Sequence, residues 1–345
     1  MSGLYSRADR QETKSLLSLL VGTNIHVDTT QNAQRLIDRA ASNRVLYTLA
    51  QAIARSQVSG GPLLDQPMHR IARIGDTIID QHRRTLSFVT ELLNDNSIPS
   101  LLIKTCRTLT YISDDLDIIV PRDQYSSAIL LLTRHGAQTN PSTSRLYQAH
   151  LTIGGLQTID LHKNMRWWNA QALSDEFVWS SPRPASFLGV PCVIPNREVE
   201  LAARALDSGW QRQSLGILDV LDIQMLCASA NVDRVHEEAS RFGWADLFGW
   251  LHRWVAELAA MLGDPTVTAQ GRLYMTADRT GSALPTPMPV VFPWTRALRI
   301  MAEHVASGHA PVFREYLYLA YARARFHLTS GHRIAMLGQW HRDLA

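Results

Sequence analysis

The chain has 345 residues, 46% of them hydrophobic and 19% charged, and a formal net charge of +3 at pH 7. This length accommodates two or three domains, and the composition is that of a folded protein with a substantial core. There is no run of about 18 uncharged apolar residues, so no membrane-spanning helix is expected. The N-terminal residues lack the apolar core of a secretory signal, and the three cysteines have neither disulfide nor metal-ligand spacing. These features favour a cytoplasmic location.

Helical periodicity dominates the first part of the chain. Residues 8–55 are predicted to form helices, residues 56–67 a loop, and residues 68–93 a longer helix whose isoleucines recur at three-and-four spacing. We therefore expect an N-terminal helical region over residues 1–95.

The chain then becomes rich in β-forming residues. Two short strands are predicted over residues 100–104 and 116–120. A helix is predicted to follow the second strand, with Asp123 at its N-cap and Gly136 at its C-terminal end.

A β-hairpin is predicted next, because two β-forming runs, residues 149–153 and 156–162, are joined by Gly154-Gly155. Helical patterns return from about residue 196, interrupted by a loop at residues 280–290. We therefore expect an α/β core over residues 96–195 and a C-terminal helical domain over residues 196–345.

Positive charge is concentrated near the C-terminus, where residues 291–345 contain seven arginines and three acidic residues. A solvated helical face is the ordinary interpretation of such a bias. The alternative is a surface that receives a phosphate-rich acceptor such as a nucleic acid. The only lysines are Lys14, Lys104 and Lys163, and the last two flank the candidate site described next.

Asp115 and Asp117 open the second predicted strand. Because strand side chains alternate, both carboxylates point to one face, while their apolar neighbours point to the other. The same alternation places Asp160 and His162 on one face of the second hairpin strand. If the apolar faces of both strands pack on one helix layer, the three aspartates share the opposite face. Adjacent carboxylates repel each other unless a cation lies between them, and Mg²⁺ prefers oxygen ligands.

Three carboxylates that hold two Mg²⁺ ions suit the in-line transfer of a nucleotidyl group from a nucleoside triphosphate. In this interpretation Asp115 and Asp117 bridge the metals, and Asp160 completes the acceptor-side metal and orients or deprotonates the acceptor hydroxyl. Lys104 and Arg107, on the preceding turn, are predicted to contact the phosphates.

Three segments resemble the uncharacterised nucleotidyltransferase family of the DNA polymerase β-like superfamily, and the resemblance covers roughly residues 30–265. The segments are Leu102-Ile103-Lys104-Thr105, Asp115-Leu116-Asp117-Ile118-Ile119-Val120 and Asp160-Leu161-His162. The resemblance implies an α+β fold, with a small polymerase β-like mixed sheet between N- and C-terminal helical regions. It further implies catalytic and metal-binding roles for Asp115, Asp117 and Asp160, and nucleotide binding by Lys104, Thr105, Arg107 and Ser113.

One residue departs from the family pattern. Thr105 stands where the family has a glycine, which would let the backbone approach phosphates closely. Thr105 could donate its hydroxyl instead, or it could mark a descendant that binds a nucleotide or a partner without catalysis.

Further residues are candidates for contact with the acceptor. His162 lies beside Asp160 on the predicted site face, Lys163 follows it, and Arg145 and His150 lie in or before the hairpin. A structural role is the alternative for each of them. Asp219 and Asp222 lie in an apolar helical segment, and we expect them to pair with an arginine of the core.

The sequence therefore predicts a Mg²⁺-dependent nucleotidyltransferase that moves a nucleoside monophosphate to a hydroxyl, with a small molecule as acceptor. Transfer to an RNA 3′ end or a protein hydroxyl is an alternative, and an inactive nucleotide-binding or partner-binding descendant is another. A purely structural interpretation, with Asp115 and Asp117 as solvated turn residues, requires Asp160 to lie far from them.

Overall fold

The structure is a computed structural model that describes residues 7–140, 147–167, 170–212 and 214–261, with three two-residue strands beyond them. Apart from Ala170, these residues belong to one compact unit. Within them, no helix is both long and apolar enough to cross a bilayer. The three strands beyond residue 261 are Thr266–Val267, Leu273–Tyr274 and Met288–Pro289.

Four helices occupy the N-terminal region: α1 (Arg7–Leu20), α2 (Thr30–Ser42), α3 (Leu46–Ala54) and α4 (Pro62–Asp95). The predicted start of α4 at residue 68 was wrong by six residues. Pro62 is the first residue of the helix, where the missing N–H costs no hydrogen bond. The Asp65 carboxylate accepts a hydrogen bond from the Gly60 N–H at 2.8 Å, which fixes the chain entering the helix.

A five-stranded mixed sheet follows, formed by β1 (Leu101–Leu102), β2 (Asp115–Ile119), β3 (Gln138–Thr139), β4 (Gln148–Thr152) and β5 (Thr158–His162). The strand order is β1-β2-β5-β4-β3. Strands β2 and β5 are parallel, and the other neighbours are antiparallel. This arrangement confirms the α+β class and the small mixed sheet.

The turn elements of this sheet largely match the predictions. The hairpin β4–β5 turns through Gly154-Gly155, and Gly155 has φ +75°, a conformation that glycine adopts without steric cost. Helix α5 (Tyr125–Arg134) links β2 to β3 and is followed by Gly136 at φ +95°. Asp123 is not its N-cap, because the helix begins two residues later and Gln124 occupies that position.

Helices α4 and α5 cover one face of the sheet, and the apolar side chains of β2, β4 and β5 pack on them. This cluster includes Leu86, Val89 and Leu93 of α4, Ala128 and Leu132 of α5, and Leu116, Ile118, Ala149, Leu151, Ile159 and Leu161 of the strands. Full burial of each large side chain stabilises the fold by about 2 kcal/mol. The predicted packing of β2 and β5 on one helix layer is confirmed.

A second hairpin, β8 (Arg183–Phe187) and β9 (Val190–Ile194), lies against β1 and α4 and was not predicted. The prolines in both strands mask the alternating pattern, since proline is rare inside strands. Its turn residues, Leu188 and Gly189, have φ +53° and +79°, as a two-residue hairpin turn requires. The short elements β6 (Arg166–Trp167), β7 (Ala170–Gln171) and α6 (Asp175–Val178) connect β5 to this hairpin.

Helices return at Arg197 as predicted. They are α7 (Arg197–Leu206), a π-helical turn (Asp207–Arg212), α8 (Ile217–Cys227), α9 (Val232–Arg241) and α10 (Ala245–Met261), with the two-residue strand β10 (Ser214–Leu215) before α8. The predicted loop at residues 280–290, apart from Met288 and Pro289, and the arginine-rich residues 291–345 lie outside the described residues. The three-part domain division stays a prediction.

Candidate active site

The sheet places the three predicted aspartates on one face. Asp117 of β2 pairs directly with Asp160 of β5, and Asp115 pairs with Thr158. Residues paired across neighbouring strands point to the same side of a sheet, and residues two apart on one strand do too. On β4, His150 pairs with Asp160. The face opposite the apolar helix layer therefore carries Asp115, Asp117, Asp160 and His150.

Asp117 has two cationic or hydrogen-bond-donating neighbours. Lys104 Nζ lies 2.7 Å and His162 Nε2 lies 2.8 Å from the same oxygen, Oδ1. Burial by itself would raise the pKa of the Asp117 carboxyl, but the Lys104 ammonium and the His162 hydrogen bond outweigh it and hold the pKa below its usual range. Burial likewise disfavours the charged form of Lys104, yet Asp117, Asp207 and Asp115 together raise the Lys104 pKa. The Lys104–Asp117 pair is therefore ionic.

Asp160 is buried and held by two residues of β4. Gln148 Nε2 donates to Oδ2, and His150 Nδ1 lies 2.8 Å from Oδ1. For His150 to donate to a carboxylate, the hydrogen must sit on Nδ1. Sequence reasoning missed Gln148, although it shares a face with His150 two residues later, because the strand was predicted to begin one residue too late.

Asp115 differs from its two neighbours. Among the described residues, no side chain or backbone group donates a hydrogen bond to its carboxylate. Burial, followed by the like charges of Asp117 and Asp160, raises its pKa to about 8. Burial, together with repulsion among the three carboxylates, thus favours a proton or another cation among them.

A possible metal-ligand group is present on this face. One oxygen each of Asp117 and Asp160 and one ring nitrogen of His162 lie within 4.8 Å of one another. This set contains His162, whereas the sequence predicted Asp115 as the third ligand. With Asp115 contributing its charge nearby, the carboxylate oxygens suit a hard divalent cation such as Mg²⁺. The carboxylates of this set therefore fit the predicted metal, whereas the His162 nitrogen is not a ligand type that Mg²⁺ prefers.

The turn after β1 presents Lys104 to Asp117. The Ile103 N–H donates to the Asp117 carbonyl at 2.9 Å, and Lys104 has φ +58°. This left-handed conformation costs a non-glycine residue roughly 1–2 kcal/mol. The residue with positive φ is the lysine itself and not Thr105, so Thr105 needs none of glycine's conformational freedom. The Thr105 hydroxyl donates to the Ile103 carbonyl at 3.0 Å within the turn.

Arg107 is paired inside the protein. Its guanidinium, 3% exposed, donates to Asp219 at 2.7 Å and also to Asp222. Arg44 donates to Asp219 as well, at 2.7 Å. The expectation that Asp219 and Asp222 pair with a core arginine is confirmed. This pairing does not favour a phosphate contact by Arg107, and that role stays a prediction.

The remaining predicted residues have separate positions. The Ser113 hydroxyl lies 2.5 Å from the Asp115 carbonyl and 3.3 Å from Nε2 of the buried His82, which was not predicted. The Lys163 ammonium lies 5.6 Å from the centre of the Tyr125 ring. Arg145 lies outside the described residues. The nucleotide or acceptor roles of Ser113, Lys163 and Arg145 stay predictions.

Comparisons with known proteins yield similarities of structure only. No family model and no curated protein matches the chain. The solution structure of the antibiotic-resistance factor ANT(2'')-Ia is similar at 16% identity and a TM-score of 0.35, over 51% of this chain and 96% of that one. Its crystal structure with adenylyl-2''-tobramycin gives 12% identity and a TM-score of 0.34, over 45% and 92%.

The lincosamide antibiotic adenylyltransferase LnuA, bound to lincomycin, is similar at 15% identity and a TM-score of 0.31, over 43% of this chain and 97% of that one. Similarity at this level does not assign the chain to a family or an activity.

Proposed function

We propose that this protein is a Mg²⁺-dependent nucleotidyltransferase that moves a nucleoside monophosphate from a nucleoside triphosphate to the hydroxyl of a small molecule. The observation that carries the proposal is the direct pairing of Asp117 with Asp160 on parallel strands, with Asp115 on the same face. Three aspartates in this arrangement, next to a lysine, supply the charges that the reaction needs.

Asp117, Asp160 and Asp115 would hold the metal. Bound Mg²⁺ would neutralise charge on the triphosphate and make the acceptor hydroxyl more acidic. Lys104, already held beside Asp117 at 2.7 Å, would contact the phosphates. The ammonium would then exchange part of its pairing with Asp117 for a phosphate oxygen.

Asp160 would orient the acceptor. In the proposed step the acceptor oxygen forms a bond to the α-phosphorus, the bond from that phosphorus to the bridging oxygen breaks, and pyrophosphate leaves with its electron pair. The acceptor proton passes to Asp160. His150, at 2.8 Å, and Gln148 fix the Asp160 carboxylate in one orientation. A catalytic group that is already oriented lowers the activation barrier, because its entropy is lost before the reaction begins.

Transfer of label from an α-labelled triphosphate tests the proposal. The protein is incubated with Mg²⁺, each labelled triphosphate, and separated small-molecule, RNA and protein fractions of a cell extract. We expect label in the small-molecule fraction with the wild type and none with Asp117→Asn. Asp114→Asn is the matched control, because Asp114 is an exposed neighbouring acid outside the site.

The fractions separate the alternatives. Label in RNA or in protein would replace the small-molecule acceptor with one of those classes. Equal transfer by the wild type and by Asp117→Asn would contradict the proposed site. Mg²⁺-dependent triphosphate binding by calorimetry, without transfer to any fraction, would identify an inactive descendant.

A further inference from the structure

Arg204, near the end of α7, holds the turn that carries Lys104. Its Nη1 donates to the Lys104 carbonyl, and its Nη2 donates to the Cys106 carbonyl at 2.9 Å. The two bonds use both terminal nitrogens of one planar guanidinium, so they fix the two carbonyls relative to each other. The side chain is 4% exposed, so water does not compete for these bonds.

The conformation that Arg204 holds is an unfavourable one. Lys104 has φ +58°, which a lysine adopts only when its surroundings impose it. The carbonyl that accepts from Nη1 belongs to Lys104 itself. A rotation of this residue towards ordinary helical or extended backbone would break that bond and move the ammonium away from Asp117.

Asp222 of α8 holds the following residues of the turn, Arg107 and Thr108. Asp222 of α8 accepts from the Thr108 N–H at 2.8 Å and from the Arg107 guanidinium. Arg204 Nε lies 3.7 Å from the same carboxylate. Asp222 therefore faces both Arg107 and Arg204, while the terminal nitrogens of Arg204 donate to the two carbonyls.

We propose that Arg204 is a positioning residue, which imposes the left-handed conformation of Lys104 and so places its ammonium against Asp117. The inference deepens the proposed function and rests on it for its catalytic meaning. The geometric part can be measured on the protein alone.

Because the sequence has only three lysines, the environment of the Lys104 ammonium can be measured directly. With isotope-labelled lysine, the nuclear magnetic resonance spectrum of the side-chain ammonium groups contains three signals, which Lys14→Arg and Lys163→Arg assign. The Lys104 ammonium, 15% exposed and ion-paired, is expected to exchange its hydrogens slowly. Lys14 is exposed and serves as the internal reference.

In Arg204→Gln we expect the Lys104 signal to lose its slow exchange and shift towards that of Lys14, at a temperature where the variant is folded. Arg183→Gln is the matched control, since Arg183 pairs with Glu200 of the same helix and, among the described residues, makes no hydrogen bond or ion pair with the turn. It should leave the Lys104 signal unchanged. If Arg204→Gln does not fold, Arg204→Lys keeps the cation beside Asp222 but cannot hold both carbonyls, and a partial shift is expected.

An unchanged Lys104 signal in a folded Arg204 variant would overturn the proposal, because Arg204 would then stabilise the fold without positioning the lysine. No nucleotide is present in this measurement. Failure of the wild type to transfer label would therefore contradict the proposed function and leave the positioning role intact. In an active enzyme, Arg204→Gln should raise the KM for the triphosphate more than it lowers kcat, and Arg204→Lys should restore part of the loss.

Discussion

Asp117 and Asp160 are paired on neighbouring parallel strands and lie on the same face of the sheet, yet their carboxylates have different partners. Asp117 accepts from Lys104 and His162 through a single oxygen, whereas Asp160 accepts from Gln148 and His150 through both. One oxygen of Asp117 thus accepts no hydrogen bond from any described residue. A metal ion at that oxygen would displace no hydrogen bond, whereas both oxygens of Asp160 already accept hydrogen bonds that hold the carboxylate in a fixed orientation.

Replacement of Asp160 by asparagine should lower kcat by about 10²–10⁴-fold, the usual contribution of a general base. The amide has nearly the same shape and keeps a contact to His150, so the fold should be retained. Steady-state kinetics on the labelled-transfer assay would measure the change. A loss confined to the KM for the triphosphate would mean that Asp160 holds the nucleotide and not the acceptor.

Magnesium affinity should increase with pH through the region near 8. Burial and the charges of Asp117 and Asp160 raise the pKa of Asp115 to about 8. Below that value the carboxyl holds a proton that the metal must displace, and above it the carboxylate is free to bind. Calorimetric titrations at several pH values, in buffers of different ionisation enthalpy, would show the released proton. Asp115→Asn should bind more weakly and lose this pH dependence.

Thr105→Gly should increase neither the stability of the fold nor the affinity for the triphosphate. Thr105 has no positive φ, so glycine would add freedom to the unfolded chain and lose the bond to the Ile103 carbonyl. We expect a loss of about 1 kcal/mol in the free energy of unfolding, measured in urea. Triphosphate affinity should stay within a factor of a few. A large gain in affinity would show that the threonine blocks the phosphates.

Arg107→Gln should destabilise the fold by about 3–5 kcal/mol, because it leaves Asp219 and Asp222 buried with fewer cations. Arg183→Gln should cost less than Arg107→Gln, because it leaves one carboxylate without its cation instead of two, and the Arg183 side chain is 37% exposed. Denaturant unfolding of both variants makes the comparison. If Arg107→Gln were as stable as the wild type and only raised the KM for the triphosphate, Arg107 would be the phosphate contact that the sequence suggested.

The sequence by itself determined which side chains share a face. Strand alternation has a period of two, so the placement of Asp115 with Asp117, and of Asp160 with His162, follows from local geometry. The Gly154-Gly155 turn and the amphipathic pattern of α4 are local for the same reason. These signals were sufficient to predict the hairpin and the face of each strand, whereas the common face of the three aspartates followed only on the condition that both strands pack on one helix layer.

Only the tertiary structure decided the partners of each charged group. Parallel pairing of β2 with β5 brings Asp117 opposite Asp160, and such pairing depends on helices that cover the sheet. Arg107 lies in the predicted turn, but its position at Asp219 and Asp222 depends on how α8 packs. A charged side chain is stable in the interior only where opposite charges and hydrogen bonds offset the cost of burial, and residues distant in sequence supply these partners.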